Sequence, residues 1–148
     1  MSYEWKIKAW KELSANEVYE ILALRAAVFV VEQNCAYQDV DGKDMQSLHL
    51  FACNEKQKPI AYLRLVEPGV SYDEWSIGRV VTAQEVRHTG VGKSLMQQAI
   101  HYTEQNKCGP IRISAQCYLE KFYQSFGFIS RGEPYLEDDI PHIEMLRP

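Results

Sequence analysis

Polar and apolar positions alternate along residues 3–10, with Tyr3, Trp5, Ile7 and Ala9 on one side and Glu4, Lys6 and Lys8 on the other. This two-residue period predicts a half-buried strand. The period then lengthens. Ser14 followed by Glu17 is a capping-box signature, and Val18, Ile21, Leu22, Arg25, Val28 and Phe29 recur at helical spacing, so a helix is expected to end near Glu32–Gln33. Residues 34–46 show no period and hold Asp39, Asp41 and Asp44, which reads as an irregular acidic segment. Residues 49–53 and 60–66 read as strands of a hairpin, and 76–82 as the third strand of the same meander. Residues 90–107 return to the helical period, with Leu95, Met96, Ala99, Ile100 and Thr103 inward and Gly109–Pro110 as the stop. Residues 111–115 alternate again and are expected to run parallel to 76–82 after the helical crossover. A short helix over 118–126, capped by Gly127, precedes strands at 128–130 and 140–146, with a long loop over 131–139 between them. This order predicts an α/β fold of the α+β kind: a mixed, mostly antiparallel sheet with helices on both faces, in a single domain spanning 1–148.

Composition narrows the possibilities. A chain of 148 residues that is 46% hydrophobic and 24% charged can build a packed core, which excludes wholesale disorder. A net charge of -4 argues against general nucleic-acid binding and leaves room for a local phosphate site. The cysteines, Cys35, Cys53, Cys108 and Cys117, form no C-x-x-C pair, and neither His101 nor His142 stands at metal spacing from them. They are expected as reduced, mostly buried small residues, and no metal site is expected. The opening MSYEWKIKAW lacks the apolar region of a signal peptide, and no run approaches the roughly 18 apolar residues of a membrane span, so the cytoplasm is the expected location.

Candidate chemistry concentrates in Arg87-His88-Thr89-Gly90-Val91-Gly92-Lys93, between the 76–82 strand and the following helix. Read as R-x-x-G-x-G, it sets glycines where backbone comes close to a ligand, at a helix start whose free N–H groups and positive dipole end face the same point. Arg87 and Lys93 add full charges, a set that suits a pyrophosphate. The glycines serve equally well as a plain turn. The motif is neither a Walker loop nor a dinucleotide fingerprint.

In context the motif is more specific. IGRVVT precedes it, and ISAQCYLEKFYQSFGF follows one helix later, with Tyr123 shortly before Gly127–Phe128. Together these resemble the GCN5-related N-acetyltransferase (GNAT) superfamily over essentially the whole chain. The stretches at 24–44, IGRVVT with RHTGVGKSLM, and ISAQCYLEKFYQSFGF with YLEDDIPHIEM are similar to its ElaA-like subgroup. The resemblance implies a GNAT-like acyl-CoA N-acyltransferase fold with acetyl-CoA as acyl donor. Its pyrophosphate would lie on the amides of His88, Thr89, Gly90, Val91, Gly92 and Lys93, and its pantetheine arm along Val80, Val81 and Thr82. Many members carry Asn at the place of Gln116, which keeps the amide on a longer arm. Acetyl-CoA and a small-molecule or protein amine are the implied partners, with no nucleic acid or membrane, and a homodimer is allowed.

Direct attack of a primary amine on a thioester needs no enzyme nucleophile, and no Ser-His-Asp or Cys-His arrangement stands out. It needs amine deprotonation, oxyanion stabilisation and help for the leaving thiolate. Tyr123 is the candidate for the last role: a phenol of pKa about 10 facing a thiolate of about 8.5 acts mainly as a hydrogen-bond donor. A backbone N–H near Val80–Val81 is expected to meet the oxyanion. For the base, Glu32 follows the apolar FVV and would serve if partly buried with a raised pKa; an ordinary helix-end carboxylate is the plain alternative. His142 is a second candidate on the acceptor side, against a packed or surface histidine. Asp39, Asp41 and Asp44, with Glu137, Asp138 and Asp139, could line a site for a cationic amine or simply be solvated. Arg79, a charge in an apolar strand, needs a partner, either Glu32 or one of the aspartates. Acyl-homoserine-lactone synthases and a non-catalytic acyl-CoA sensor remain the competing readings.

Overall fold

A computed structural model describes residues 3–148. Its strands are β1 (Glu4–Ala9), β2 (Ser47–Cys53), β3 (Pro59–Val66), β4 (Ser76–Thr82), β5 (Ile111–Gln116), β6 (Ile129–Glu137) and β7 (Ile140–Arg147). The helices are α1 (Ala15–Arg25), α2 (Val91–Gln105) and the short α3 (Glu120–Gln124). Strands β1-β2-β3-β4 form one antiparallel sheet and β5-β7-β6 a second. The two sheets meet where β4 begins and β5 begins: Trp75 and Ile111 form a parallel bridge, and Arg112 N–H donates to the Trp75 carbonyl at 2.9 Å. Beyond that bridge β4 and β5 share no ladder, so the expected parallel neighbours diverge into a cleft.

Alternation along β3 explains the layering. Ala61, Leu63 and Leu65 face α2 and its inward residues Leu95, Met96 and Ala99, while Tyr62 turns the other way and packs with Ile21, Val28, Phe51 and Val81 under α1. Both faces of β3 are therefore covered and all its residues are buried. Ser14 caps α1 as its sequence predicts: its hydroxyl accepts from the Glu17 N–H at 3.0 Å, and the Glu17 carboxylate accepts from the Ser14 N–H at 2.9 Å.

Four expectations need correction. The helix from Ser14 changes character at Ala26, where Ala26–Glu32 forms a π-helix marked by Gln33 N–H to Val28 and Cys35 N–H to Val30 bonds. The long loop over 131–139 is instead a continuation of β6, which runs to Glu137. Asp138 (φ 51°) and Asp139 (φ 61°) make a two-residue hairpin turn whose twist matches paired strands. Residues 34–46 are not simply solvated, since Asp39 and Asp44 are buried. Of the cysteines, all unpaired, only Cys53 is buried. The alternation of β1 is also imperfect, with Ile7 36% exposed.

Candidate active site

The cleft between β4 and β5 has one irregular wall. Tyr62 pairs with Val81 and Arg64 with Gly78, so Leu63 faces both Arg79 and Val80. This is a β-bulge, and its extra residue leaves the ladder. Arg79 takes a left-handed backbone (φ 52°), which a non-glycine residue adopts only when its surroundings hold it there. The bulge falls where the oxyanion-binding N–H was expected, near Val80–Val81.

At the far end of β4 the chain crosses 83–90 and enters α2. Gly90 has φ 88°, the left-handed position preceding the first turn of α2, and His88 is also left-handed (φ 64°). A Cβ on Gly92 would touch Thr82 Cγ2 at 3.7 Å, so the helix start lies directly against the end of β4. The amides of Val91, Gly92 and Lys93 are helix-start donors without intrahelical partners. Thr89 donates its hydroxyl to the Val86 carbonyl, which fixes the turn. His88, Thr89, Gly90 and Lys93 are exposed, and Val91 is buried in the core.

Arg87 sits beside this turn with its guanidinium engaged. It donates to both oxygens of Glu32, one at 2.9 Å, and to the Thr82 carbonyl at 3.2 Å. Glu32 is exposed, and the Arg87 hydrogen bond and charge hold its carboxyl below the ordinary range. Both features are the reverse of what a buried base with a raised pKa requires. The Glu32–Arg79 pairing does not form either.

Tyr123 lies on α3 and is 6% exposed, edge-on to Phe122 and Phe128. Burial, with Tyr118 nearby, pushes its phenol well above the usual value, which favours the protonated form with an O–H to donate. Phe122 packs edge-on to Phe126, while Tyr118 is 74% exposed.

On the α1 side, the aspartates of 39–44 are held by arginines. Arg25 Nε donates to Asp39 at 2.9 Å and its Nη1 to Asp44 at 2.8 Å; Arg64 Nη1 donates to the same Asp44 oxygen at 2.9 Å and to Asp41. Arg79 bonds the Asp39 carbonyl and Asp41, and its guanidinium lies over the Tyr37 ring. Arg79 Nε approaches Asp39 to 2.8 Å at an angle too bent for a hydrogen bond, so this contact is electrostatic. Burial works to raise the Asp44 carboxyl, but the bonds and charges of Arg25 and Arg64 outweigh it and hold it low. His49 continues the cluster, bonded to the Tyr62 hydroxyl at 2.7 Å and the Asp44 carbonyl at 2.8 Å. Asp41 is thus tied to arginine rather than presented to an amine. Arg25 and Arg64 carried the same sequence signal as Arg79, a charge among apolar neighbours, and sequence reading used it only for Arg79.

The opposite wall is built from β5 and β7. Gln116 stands directly across from His142, and Ser114 across from Glu144, on the face of this sheet turned away from the core residues Ile113, Ala115, Ile143 and Met145. Tyr135 of β6 pairs with His142 and stacks on its ring, 6.2 Å between centroids. His142 is 6% exposed. Val80 and Gln116 lie the same number of residues beyond the Trp75–Ile111 bridge, so the bulge and the Gln116–His142 pair both stand beyond the point where the two walls part. Among the described residues no cluster of His, Cys, Asp and Glu could hold a metal, and no helix is long and apolar enough to cross a membrane. A separate groove of about 580 Å³ on the outer flank of α1 includes Glu32 but none of the predicted coenzyme residues.

Comparison with known proteins agrees with this geometry. Residues 11–147 match the family model described as an acetyltransferase (GNAT) domain. Protein ElaA of Escherichia coli is 40% identical over 97% of this chain and 95% of its own. Its crystal structure superposes with a TM-score of 0.92 at 39% identity, covering 99% of this chain and 100% of that one. An acyl-CoA N-acyltransferase from Pseudomonas aeruginosa superposes with a TM-score of 0.94 at 42% identity, covering 99% and 100%. A CoA-dependent acyl-homoserine lactone synthase, BjaI, shares the fold alone, with a TM-score of 0.82 at 15% identity over 98% and 82% of the two chains. A split antiparallel sheet with a bulged strand on one wall, a glycine turn at a helix start and a buried tyrosine beyond it is thus found in a chain that belongs to the GNAT superfamily of acyltransferases, in its ElaA-like subgroup.

Proposed function

We propose that the chain is an N-acetyltransferase that moves an acetyl group from acetyl-CoA to a primary amine by direct attack in a ternary complex. The observation that carries this reading is the left-handed Gly90 turn, which sets the free amides at the start of α2 against Thr82 at the mouth of the cleft. Helix-start amides and the helix dipole favour a pyrophosphate there, with Lys93 adding charge and Arg87 available once it parts from Glu32. The pantetheine arm lies along Val80, Val81 and Thr82, which lack a strand partner on the β5 side, and Gln116 reaches it from β5. The thioester carbonyl meets the backbone at the Arg79–Val80 bulge, and the Tyr123 O–H donates a hydrogen bond to the departing sulfur. Its raised pKa favours a donated hydrogen bond over complete proton transfer. The likeness to the P. aeruginosa acyl-CoA N-acyltransferase supports the acyl-CoA donor class.

Incubation with acetyl-CoA and a panel of polyamines, amino acids, aminoglycosides and peptides tests the reading through thiol release. The expected result is release with at least one amine. Coenzyme binding with no release for any amine would instead favour a sensor. Tyr123→Phe is expected to lower turnover by about 10²–10³, the usual cost of losing a donor to developing charge, with acetyl-CoA affinity kept. Unchanged turnover would remove Tyr123 from the mechanism.

A further inference from the structure

The β6–β7 hairpin carries a histidine with one nitrogen spoken for and one free. His142 Nδ1 lies 2.7 Å from the Ile140 carbonyl, which can only accept, so Nδ1 carries a proton and the lone pair of the neutral ring is on Nε2. Nε2 makes no hydrogen bond among the described residues; Glu137 Oε2 stands 3.6 Å away, beyond bonding range. The ring is nine-tenths buried and is held flat by Tyr135. Glu137 is in turn positioned by the Ser114 hydroxyl at 3.2 Å, and Ser114 bonds Tyr135. The groups facing this point come from every neighbouring element: Gln116 on β5, Tyr135 and Glu137 on β6, Glu144 on β7, and Tyr72 from the 68–74 loop. The Tyr72 phenol is raised to about 12 by burial and then by Tyr135, Glu144 and Glu137. Two arginines stand on this face: Arg112, committed to Glu74 and Glu144, and Arg131, directly across from Glu144 on β6 and paired with no carboxylate among the described residues. Glu137 has no arginine or lysine within ion-pair distance among the described residues, and Asp138 and Asp139 follow it at the hairpin tip.

We infer that His142 is the proton acceptor of the transfer and that Glu137 selects a cationic acceptor, an aliphatic di- or polyamine rather than an amine bearing a carboxylate. The inference rests on the acetyltransferase reading and deepens it. His142 stands opposite Gln116, beyond the Trp75–Ile111 bridge like the β4 bulge, on the face of the second sheet away from the core side where Tyr123 packs. The thioester thus has its leaving-group donor on one side and its proton acceptor on the other. The ammonium gives one proton to Nε2, and the neutral nitrogen bonds to the carbonyl carbon. The C–S bond breaks, and the sulfur takes a second amine proton as the free thiol. The imidazolium, beside Glu137, then returns its proton to solvent.

Initial rates with putrescine and with γ-aminobutyrate, a chain of the same length ending in carboxylate, test this in the wild type and in Glu137→Gln and His142→Gln. The wild type should prefer putrescine. Glu137→Gln should raise the putrescine KM by about tenfold, the loss of one modest ion pair, with kcat little changed. His142→Gln should lower kcat by about 10², the usual worth of a general base, while acetyl-CoA still binds by calorimetry. Equal use of the two amines by the wild type overturns the substrate class, and wild-type kcat in His142→Gln overturns the base. If His142→Gln fails to bind coenzyme, imidazole rescue of His142→Ala decides the base, absence of rescue overturning it, and Glu137→Gln independently decides the substrate class. No thiol release with any amine overturns the acetyltransferase reading along with this one, whereas release that ignores the acceptor's charge overturns this one alone.

Discussion

Asp44 is the residue on which the α1 side of the cleft converges. One of its oxygens accepts from both Arg25 and Arg64 in a buried setting. Removing one partner of such a set leaves uncompensated buried charge, so Asp44→Asn should cost about 3–5 kcal/mol in urea unfolding at neutral pH. The pH dependence has a definite sign. The Asp44 carboxyl is held below its ordinary value in the folded state, so its contribution is complete above the unfolded value, near 3.9, and is lost as pH falls through the folded one. The gap in stability between wild type and Asp44→Asn should therefore close below about pH 4. A gap that stays constant down to acid unfolding would contradict the assignment. Glu32 teaches the opposite lesson at this scale: FVVE suggested burial, but the π-helix carries Val31 and Glu32 outward, where Arg87 lowers the carboxyl.

Among the elements, the 83–90 crossover and α2 carry the coenzyme reading. Gly90 has open space around a would-be Cβ but a left-handed backbone, so strain rather than collision decides its substitution. Gly90→Ala should cost about 1–2 kcal/mol and weaken acetyl-CoA binding, since the turn that aims the α2 amides would relax. A variant that binds acetyl-CoA like wild type at reduced stability would separate the turn from the ligand. Much of this was legible in sequence because it is local: the Ser14 capping box, the meander periodicity and the Gly90 turn each depend on neighbours a few residues away. The two-residue Asp138–Asp139 turn was missed because aspartate was read as charge rather than as a residue that tolerates a left-handed backbone. The π-helix was missed because the apolar run 26–31 fits an α-helical period as well.

Across the whole molecule the decisive features are non-local. The cleft exists because β5 joins β4 only at Trp75–Ile111 and then follows β7 instead. Periodicity predicted parallel strands and could not tell pairing from divergence. Likewise, the buried Arg25–Asp39–Asp44–Arg64 cluster joins α1, the 34–46 segment and β3, and nothing in residues 34–46 alone announces its partners. The proposed donor side rests on a contiguous motif and its resemblance; on the proposed acceptor side the sequence named His142 and Glu137 singly, and their arrangement with Gln116, Tyr135 and Ser114 came only with tertiary contacts. The central claim is that the β4–β5 cleft and the start of α2 hold acetyl-CoA. Calorimetric titration of the full chain with acetyl-CoA tests it most directly: saturable binding of one coenzyme per chain, weakened in Gly90→Ala, is predicted, and the absence of saturable binding by the wild type would contradict it.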